Sequence, residues 1–327
     1  MHVRQSRAAK LLTLSLAIAL LVFSPCGLYA ANIVFDIADD WSDTQNPNGV
    51  WSYNGAPGLP ITTLQSDYDP TRTFFSGEQP AWAAAPFQLP GHVPFWAKSR
   101  GLALKPDSMP DLDFPSGRVG MHGSNTANSG VTWTSPVDGV VDISGGVWQM
   151  SKEGGHFFRS AQINLRLNGL LLTSVNVAWN DSFTSANPLD LSDGSGGEAA
   201  ILNLPVKAGD VLTLEVVKTS SIATLVGVDL TITVLDPAIV LLQDLILDVA
   251  EINLARGINN AVDAKLDAAF AAITDANENN DVAACNVLNA LVHFVEVQWD
   301  HGKLTDGQAL FLIDAADEII LLLCPES

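Results

Sequence analysis

The chain has 327 residues, of which 47% are hydrophobic and 16% are charged, so it is long enough for two folded domains and is not a disordered protein. Residues 1–30 contain three of the 16 basic residues and no acidic residue. The rest of the chain therefore has 13 basic and 36 acidic residues, a net charge of −23. Such a surface repels nucleic acid and anionic lipid, and we expect neither as a partner.

The first 30 residues are predicted to be a secretory signal peptide. A basic stretch up to Lys10 precedes the apolar run Leu11–Phe23, which is too short to span a bilayer comfortably. Cleavage is expected after Ala30. We therefore expect a secreted protein (extracellular, periplasmic or at the cell surface) that is not an integral membrane protein.

Two cysteines, Cys285 and Cys324, follow the predicted signal, while Cys26 lies within it. An even number of cysteines in an oxidising compartment predicts a disulfide bond, here between two helices of the C-terminal region. Two buried free thiols are the alternative.

Residues 31–236 are predicted to form a β-sandwich domain. Apolar residues alternate with polar ones in Val131–Met150, and Ser135–Gly139 in its middle has turn composition, so we predict a central hairpin. Trp133 is expected in the core, whereas Gly145 and Gly146 leave the direction of Trp148 open. Asn168-Gly169 between two further alternating runs predicts a second hairpin.

The order of several sequence motifs in this region resembles a jelly-roll domain common in exported bacterial proteins, including those with sorting-type C-termini. This domain is similar in layout to galactose-binding-like carbohydrate modules. The motifs are NPNGVWSY (46–53), GRVGMHGS (117–124), VTWTSPVDG (131–139), LRLNG (165–169) and VKAGDVLTLEV (206–216). The resemblance implies a jelly-roll fold and says little about a ligand. The sorting-type hydrophobic C-terminus is not matched, so surface anchoring is not implied.

Residues 237–327 are predicted to form a small antiparallel bundle of four helices. Asp236 suits the N-cap of the first helix and Pro237 its first position, and Thr305 with Gln308 forms a capping box for the fourth. The region resembles a FIMAH-type helical domain, which implies an accessory or spacer role. The segments that carry this resemblance are NLARGINNAVDAKLDAAFAAI (253–273), NNDVAACNVLNALVHFVEVQ (279–298) and KLTDGQALFLIDAADEII (303–320).

The candidate ligand-binding residues lie in or beside Ser76–Pro115, a passage with many prolines that is predicted to form loops at one end of the sandwich. Aromatic rings there could stack on a sugar, or could instead cap the sandwich. His122 could contact the same ligand or be a structural, hydrogen-bonded histidine. The candidates are Trp82, Phe95, Trp96 and His122.

One candidate metal site alternates oxygen-bearing side chains as the first half of a calcium loop does. Asn280 and Asn286 replace the glycine and glutamate of such a loop, so an ordinary interhelix loop is the alternative. The candidate ligands are Asp275, Asn277, Asn279 and Asp281. Calcium is the one cofactor that the sequence leaves open.

The sequence contains no recognisable set of catalytic residues, so the preferred hypothesis is a non-enzymatic protein. In this hypothesis the sandwich binds a glycan or another extracellular surface component, and the helices serve as an accessory unit. The alternatives are a structural matrix or surface-layer component that self-associates, and a hydrolase or lyase that acts on polysaccharide.

Overall fold

The computed structural model describes residues 32–72, 75–87, 94–101, 112–123, 128–151, 158–221, 224–274 and 281–324. These residues form a two-sheet β-sandwich followed by four helices, as the sequence predicts. The strands are β1 (Ile33–Asp36), β2 (Trp51–Ala56), β3 (Leu59–Pro60), β4 (Leu64–Gln65), β5 (Ala81–Ala83), β6 (Phe95–Lys98), β7 (Val119–His122), β8 (Ser129–Thr134), β9 (Gly139–Gln149), β10 (Ser160–Leu167), β11 (Leu170–Ala178), β12 (Leu189–Asp190), β13 (Leu204–Val206), β14 (Val211–Lys218) and β15 (Leu225–Val234).

Within the described ranges, one sheet has nine strands and the other has six. The nine-stranded sheet has the order β12-β9-β15-β7-β6-β5-β4, with β1 also paired to β15 and β13 to β9. The six-stranded sheet has the order β11-β10-β14-β8-β2-β3. Every assigned strand pair is antiparallel, and apolar side chains from both sheets form one core between them.

The predicted hairpin at Val131–Met150 is wrong. Its first half is β8, in the six-stranded sheet, and its second half is β9, in the nine-stranded sheet, so the turn between them carries the chain across the sandwich. Val131 and Trp133 nevertheless face the same core as Val141 and Ile143. The alternating pattern predicts a strand and its buried face, but it does not identify the strand's partner.

The Asn168-Gly169 hairpin is confirmed. These two residues join β10 to β11, and both have positive φ angles, 49° and 84°, as a tight two-residue turn requires. The side chain of Asn168 also holds the neighbouring turn, because its Nδ2 donates to Asp210 Oδ1 at 2.8 Å and its Oδ1 accepts from Val211 N at 2.9 Å.

The side of the nine-stranded sheet that faces away from the core is covered by a second apolar cluster. It contains Trp148, whose direction the sequence leaves open. The register of β9 against β15 has no bulge at Gly145 or Gly146, so simple alternation turns Trp148 away from the core that Val147 enters. The main aromatic members of this second cluster are Tyr68, Phe75, Phe87, Phe95, Phe114 and Trp148.

The four helices begin directly after β15. They are α1 (Pro237–Glu251), α2 (Arg256–Thr274), α3 (Asp281–Asp300) and α4 (Asp306–Leu323). Asp236 caps α1 by accepting a hydrogen bond from Ala238 N at 2.8 Å, and Thr305 with Gln308 forms the predicted capping box of α4. Buried residues of all four helices share one core. The disulfide between Cys285 and Cys324 is confirmed and joins α3 to the end of α4.

No helix in the described part of the chain is long and apolar enough to cross a membrane.

Candidate functional site

The tryptophans that the sequence suggests as a stacking platform lie inside the sandwich. Trp82 on β5 and Trp96 on β6 are cross-strand neighbours, and they are 2% and 0% exposed. Their indole nitrogens donate to the backbone oxygens of Ser42 and Asn54, at 2.9 and 3.2 Å. Both rings belong to the main core, so they offer no face to a ligand and the platform prediction is contradicted for them.

Phe95 and His122 lie on the opposite side of the same sheet. They are paired in register on β6 and β7, and their rings stack with centroids 6.1 Å apart. Phe95 belongs to the outer apolar cluster, and both residues are buried. Phe95 therefore cannot stack on a ligand from solvent. Short strands within the predicted loop region cause this burial, since each strand sends alternate rings to one of two covered faces.

His122 belongs to a group of buried polar residues at one end of the sandwich. Its Nδ1 lies 2.8 Å from the carbonyl oxygen of Gly123, and its Nε2 lies 3.5 Å from Nη1 of Arg159. Arginine can only donate, so Nε2 accepts and the proton of a neutral imidazole is on Nδ1. Nearby in the sheet, Thr224 donates its hydroxyl proton to Gln149 Oε1 at 2.6 Å.

Arg159 is fully buried just before β10. Burial lowers the pKa of its guanidinium to about 10, so the side chain still carries a positive charge at neutral pH. This charge and the hydrogen bond to His122 favour a structural role for both residues in closing the end of the sandwich.

Two further aromatic residues, which no sequence motif singles out, are exposed beside Arg159. Phe158 precedes β10 and Trp179 follows β11, with 71% and 37% of their surfaces exposed. Their ring centroids are 5.0 Å apart, and the planes meet at 71°. Trp179 N donates to the carbonyl oxygen of Arg159 at 2.9 Å, which ties the pair to the sheet. The one sequence signal for them is that each lies within two residues of the end of an alternating strand.

The predicted calcium loop lies largely outside the described residues, which exclude Asp275, Asn277 and Asn279. Asp281 is described and is the first residue of α3. Among described side chains, no group of three or more histidines, cysteines, aspartates or glutamates is placed to hold a metal ion. Calcium binding stays a prediction.

The fold and these residues together define a β-sandwich with an exposed aromatic pair at one end, followed by four helices. No protein-family model matches the sequence, and no curated protein matches it. Among solved structures, the chain is similar to the CBM51-2 and INT domains from Clostridium perfringens ZmpB. The identity is 12% and the TM-score 0.31, over 79% of this chain and 50% of that one.

A second solved structure has the same domains, with CBM51-2 in complex with GlcNAc. It is 12% identical, with a TM-score of 0.28, over 53% of this chain and 35% of that one. The protein therefore spans half or less of the length of each of the two solved chains that it matches. The architecture described above rests on this chain's own strand and helix packing.

Proposed function

We propose that the sandwich binds a glycan through the exposed pair Phe158–Trp179. The single observation that carries this proposal is that two large aromatic rings lie together at the surface, while the other large aromatics of the sandwich that the structure describes are buried or partly buried. Exposed aromatic side chains have few rotatable bonds, so they provide a large contact area at a low cost in conformational entropy. The C–H face of a sugar ring is apolar enough to pack on such rings.

Polar groups beside the pair suit the hydroxyl groups of a sugar. Ser160 begins β10 two residues after Phe158, and Thr219 Oγ1 donates to its hydroxyl at 2.7 Å. The net charge of −23 after the predicted signal peptide favours a neutral glycan over an acidic one. In this proposal the protein is secreted and non-enzymatic, its sandwich is of the jelly-roll type, and its helices form a FIMAH-like accessory unit.

The test is a glycan array probed with the chain from Ala31 to Ser327, with and without calcium. Each hit is then measured by calorimetry on the Trp179→Ala variant. Because one stacked ring contributes on the order of 1 kcal/mol or more, we expect the affinity to fall about tenfold.

Phe311→Ala is the matched control, since Phe311 is an exposed aromatic on α4, outside the sandwich. We expect this control to bind like the unchanged chain. Absence of saturable binding to any glycan, or equal affinity of Trp179→Ala and the unchanged chain, would contradict the proposal.

Self-association as a matrix or surface-layer component is the second candidate function. The observation in its favour is that several large aliphatic side chains of the helices are exposed, although α1–α4 have a core of their own. They are Leu247, Val282, Leu310, Leu321 and Leu322. This candidate predicts concentration-dependent oligomers in light scattering, and Leu310→Gln combined with Leu321→Gln would reduce them.

The third hypothesis, a hydrolase or lyase that acts on polysaccharide, stays a prediction without an observation in its favour in the described part of the chain.

A further inference from the structure

The outer face of the six-stranded sheet points away from the nine-stranded sheet and has mostly polar side chains. The outer face of the nine-stranded sheet is instead covered by the second apolar cluster. On β10 and β14, the side chains that alternate with the core residues Ile163, Leu165, Leu214 and Val216 therefore point outward. They are polar on β10 and mostly polar on β14, namely Gln162, Asn164, Arg166, Thr213 and Glu215.

A row of residues crosses this face through Glu215. The register places Asn54 on β2 opposite Gly130 on β8, Gly130 opposite Glu215 on β14, and Glu215 opposite Asn164 on β10. At Gly130 an added Cβ would lie 2.6 Å from the carbonyl oxygen of Leu214. Glycine lets the backbones of β8 and β14 approach at this point, and β8 places no side chain between Asn54, which is buried, and Glu215.

Three side chains hold the carboxylate of Glu215 in one position. Asn128 Nδ2 donates to Oε1 at 2.8 Å, while Asn164 Nδ2 and Arg166 Nε donate to Oε2 at 3.3 and 3.2 Å. Burial alone would raise the pKa of Glu215, but these hydrogen bonds outweigh it and hold the pKa below its usual value. The side chain remains 18% exposed, so Glu215 is a fixed, ionised acceptor that solvent reaches.

Residues along β10 connect this row to the aromatic pair. Phe158, Ser160, Gln162 and Asn164 follow one another at every second position toward Glu215, and the three that lie in β10 are on the outer face. Phe158 is exposed and Ser160 and Gln162 are half-buried, whereas Asn164 is buried and holds the carboxylate of Glu215. Six residues of extended chain separate Phe158 from Asn164, a distance of about 20 Å. Several linked sugar rings can span this distance, but a single ring cannot.

We propose that a neutral polysaccharide lies along β10, with one end on Phe158–Trp179 and its hydroxyl groups further along donating to Glu215. This inference rests on the proposed glycan binding and adds the substrate class, an extended chain rather than a terminal sugar. The carboxylate of Glu215 accepts hydrogen bonds from sugar hydroxyl groups, and the net charge of −23 after the predicted signal peptide repels anionic sugars, so the proposed polysaccharide is neutral.

The test measures the affinity of the chain from Ala31 to Ser327 for cello-, malto- and chito-oligosaccharides of one to six units. We expect the affinity for the bound series to rise with length until the oligosaccharide reaches Glu215. Glu215→Gln should lower the affinity for the hexasaccharide about tenfold, since it removes a charged acceptor, and leave that for the disaccharide unchanged. Gln162→Ala, at a half-buried position along the path, should act in the same direction.

Asp229→Asn is the matched control. Asp229 is also a strand carboxylate bound by an arginine, at 2.7 Å from Arg118 Nη1, but on the nine-stranded sheet. It should leave every affinity unchanged. Equal affinity for short and long oligosaccharides, or a Glu215→Gln variant that still favours the long ones, would overturn the inference and leave the proposed function standing. Absence of binding to all three series and to the array would overturn both.

Discussion

At the scale of single residues, Gly227 and Trp148 show how tightly the outer layer of the nine-stranded sheet is packed. The two residues face each other in register on β15 and β9, and the indole ring lies directly over the glycine. A Cβ added at Gly227 would be 2.0 Å from Cε2 of the ring. The ring is also fixed at its other edge, where Nε1 donates to the carbonyl oxygen of Asp113 at 2.9 Å. Glycine is therefore required by the position of the tryptophan.

Gly227→Ala is expected to destabilise the protein. The new methyl group has to displace a fully buried ring, and overpacking of this kind costs about 1–3 kcal/mol. Chemical denaturation followed by tryptophan fluorescence measures the loss. Gly257→Ala in α2 is the control, because its Cβ would meet no atom within 4 Å. An equal free energy of unfolding for the two variants would contradict the argument.

Two buried tyrosines make the stability of the folded protein depend on pH in the alkaline range. Burial raises the pKa of both Tyr53 and Tyr68 well above the ordinary value, and Asp40 and Asp69 act in the same direction. Unfolded tyrosine ionises near pH 10 but the folded residues stay neutral, so stability is unaffected below about pH 10 and falls above it.

This dependence is measured on the chain from Ala31, which lacks Tyr29 and so contains only Tyr53 and Tyr68. Phenolate absorbance and circular dichroism should change together as the pH rises. Phenolate absorbance that appears while the native circular dichroism persists would show that the tyrosines are accessible.

Burial of single aromatic residues was only partly predictable. Trp133 lies in a long alternating run, so its place in the core follows from periodicity. Trp82 and Trp96 lie on strands of three and four residues among prolines, where periodicity is too short to indicate a face. Phe158 and Trp179 lie just outside their strands, and their exposure depends on loops that local pattern does not describe.

At the scale of elements, capping and turn chemistry predicted local structure better than strand pairing. Asp236, Thr305 and Asn168-Gly169 act through hydrogen bonds and φ angles within a few residues, and their roles are confirmed. Strand β8 pairs instead with β14, which lies about 80 residues later in the chain. The residues of Val131–Met150 contain no pattern that indicates β14 as the partner of β8, and for this reason the predicted hairpin is wrong.

The disulfide predicts the stability of the helical region. It links residues 39 positions apart, and a closed loop of this length lowers the entropy of the unfolded chain by an amount equivalent to about 4 kcal/mol. Cys285→Ala combined with Cys324→Ala should lower the free energy of unfolding of α1–α4 by that order, measured by urea denaturation. Reduction of the unchanged chain should reproduce the effect. Equal urea midpoints for the oxidised chain and the double variant would contradict it.

At the scale of the whole molecule, the dominant property is the excess of acidic over basic residues. Like charges repel one another more strongly in the compact state than in the expanded one, and salt screens this repulsion. We expect the melting temperature to rise as NaCl increases from low ionic strength to about 0.5 M, where the Debye length is only a few ångströms. The rise should shrink at a pH where most carboxylates are protonated. A melting temperature independent of salt at neutral pH would show that the charges are too dispersed to matter.

The position of β15 in the nine-stranded sheet determines when the sandwich can form. This strand pairs with β9 along one edge and with β7 and β1 along the other, and Val234 near its end is the partner of Ile33. A growing chain therefore cannot complete the sheet until almost all of the residues before the helices have been synthesised. Contacts this distant in sequence form slowly. If the chain is exported, as we propose, slow pairing of its first and last strands would keep the sandwich unformed while the chain passes through an export channel.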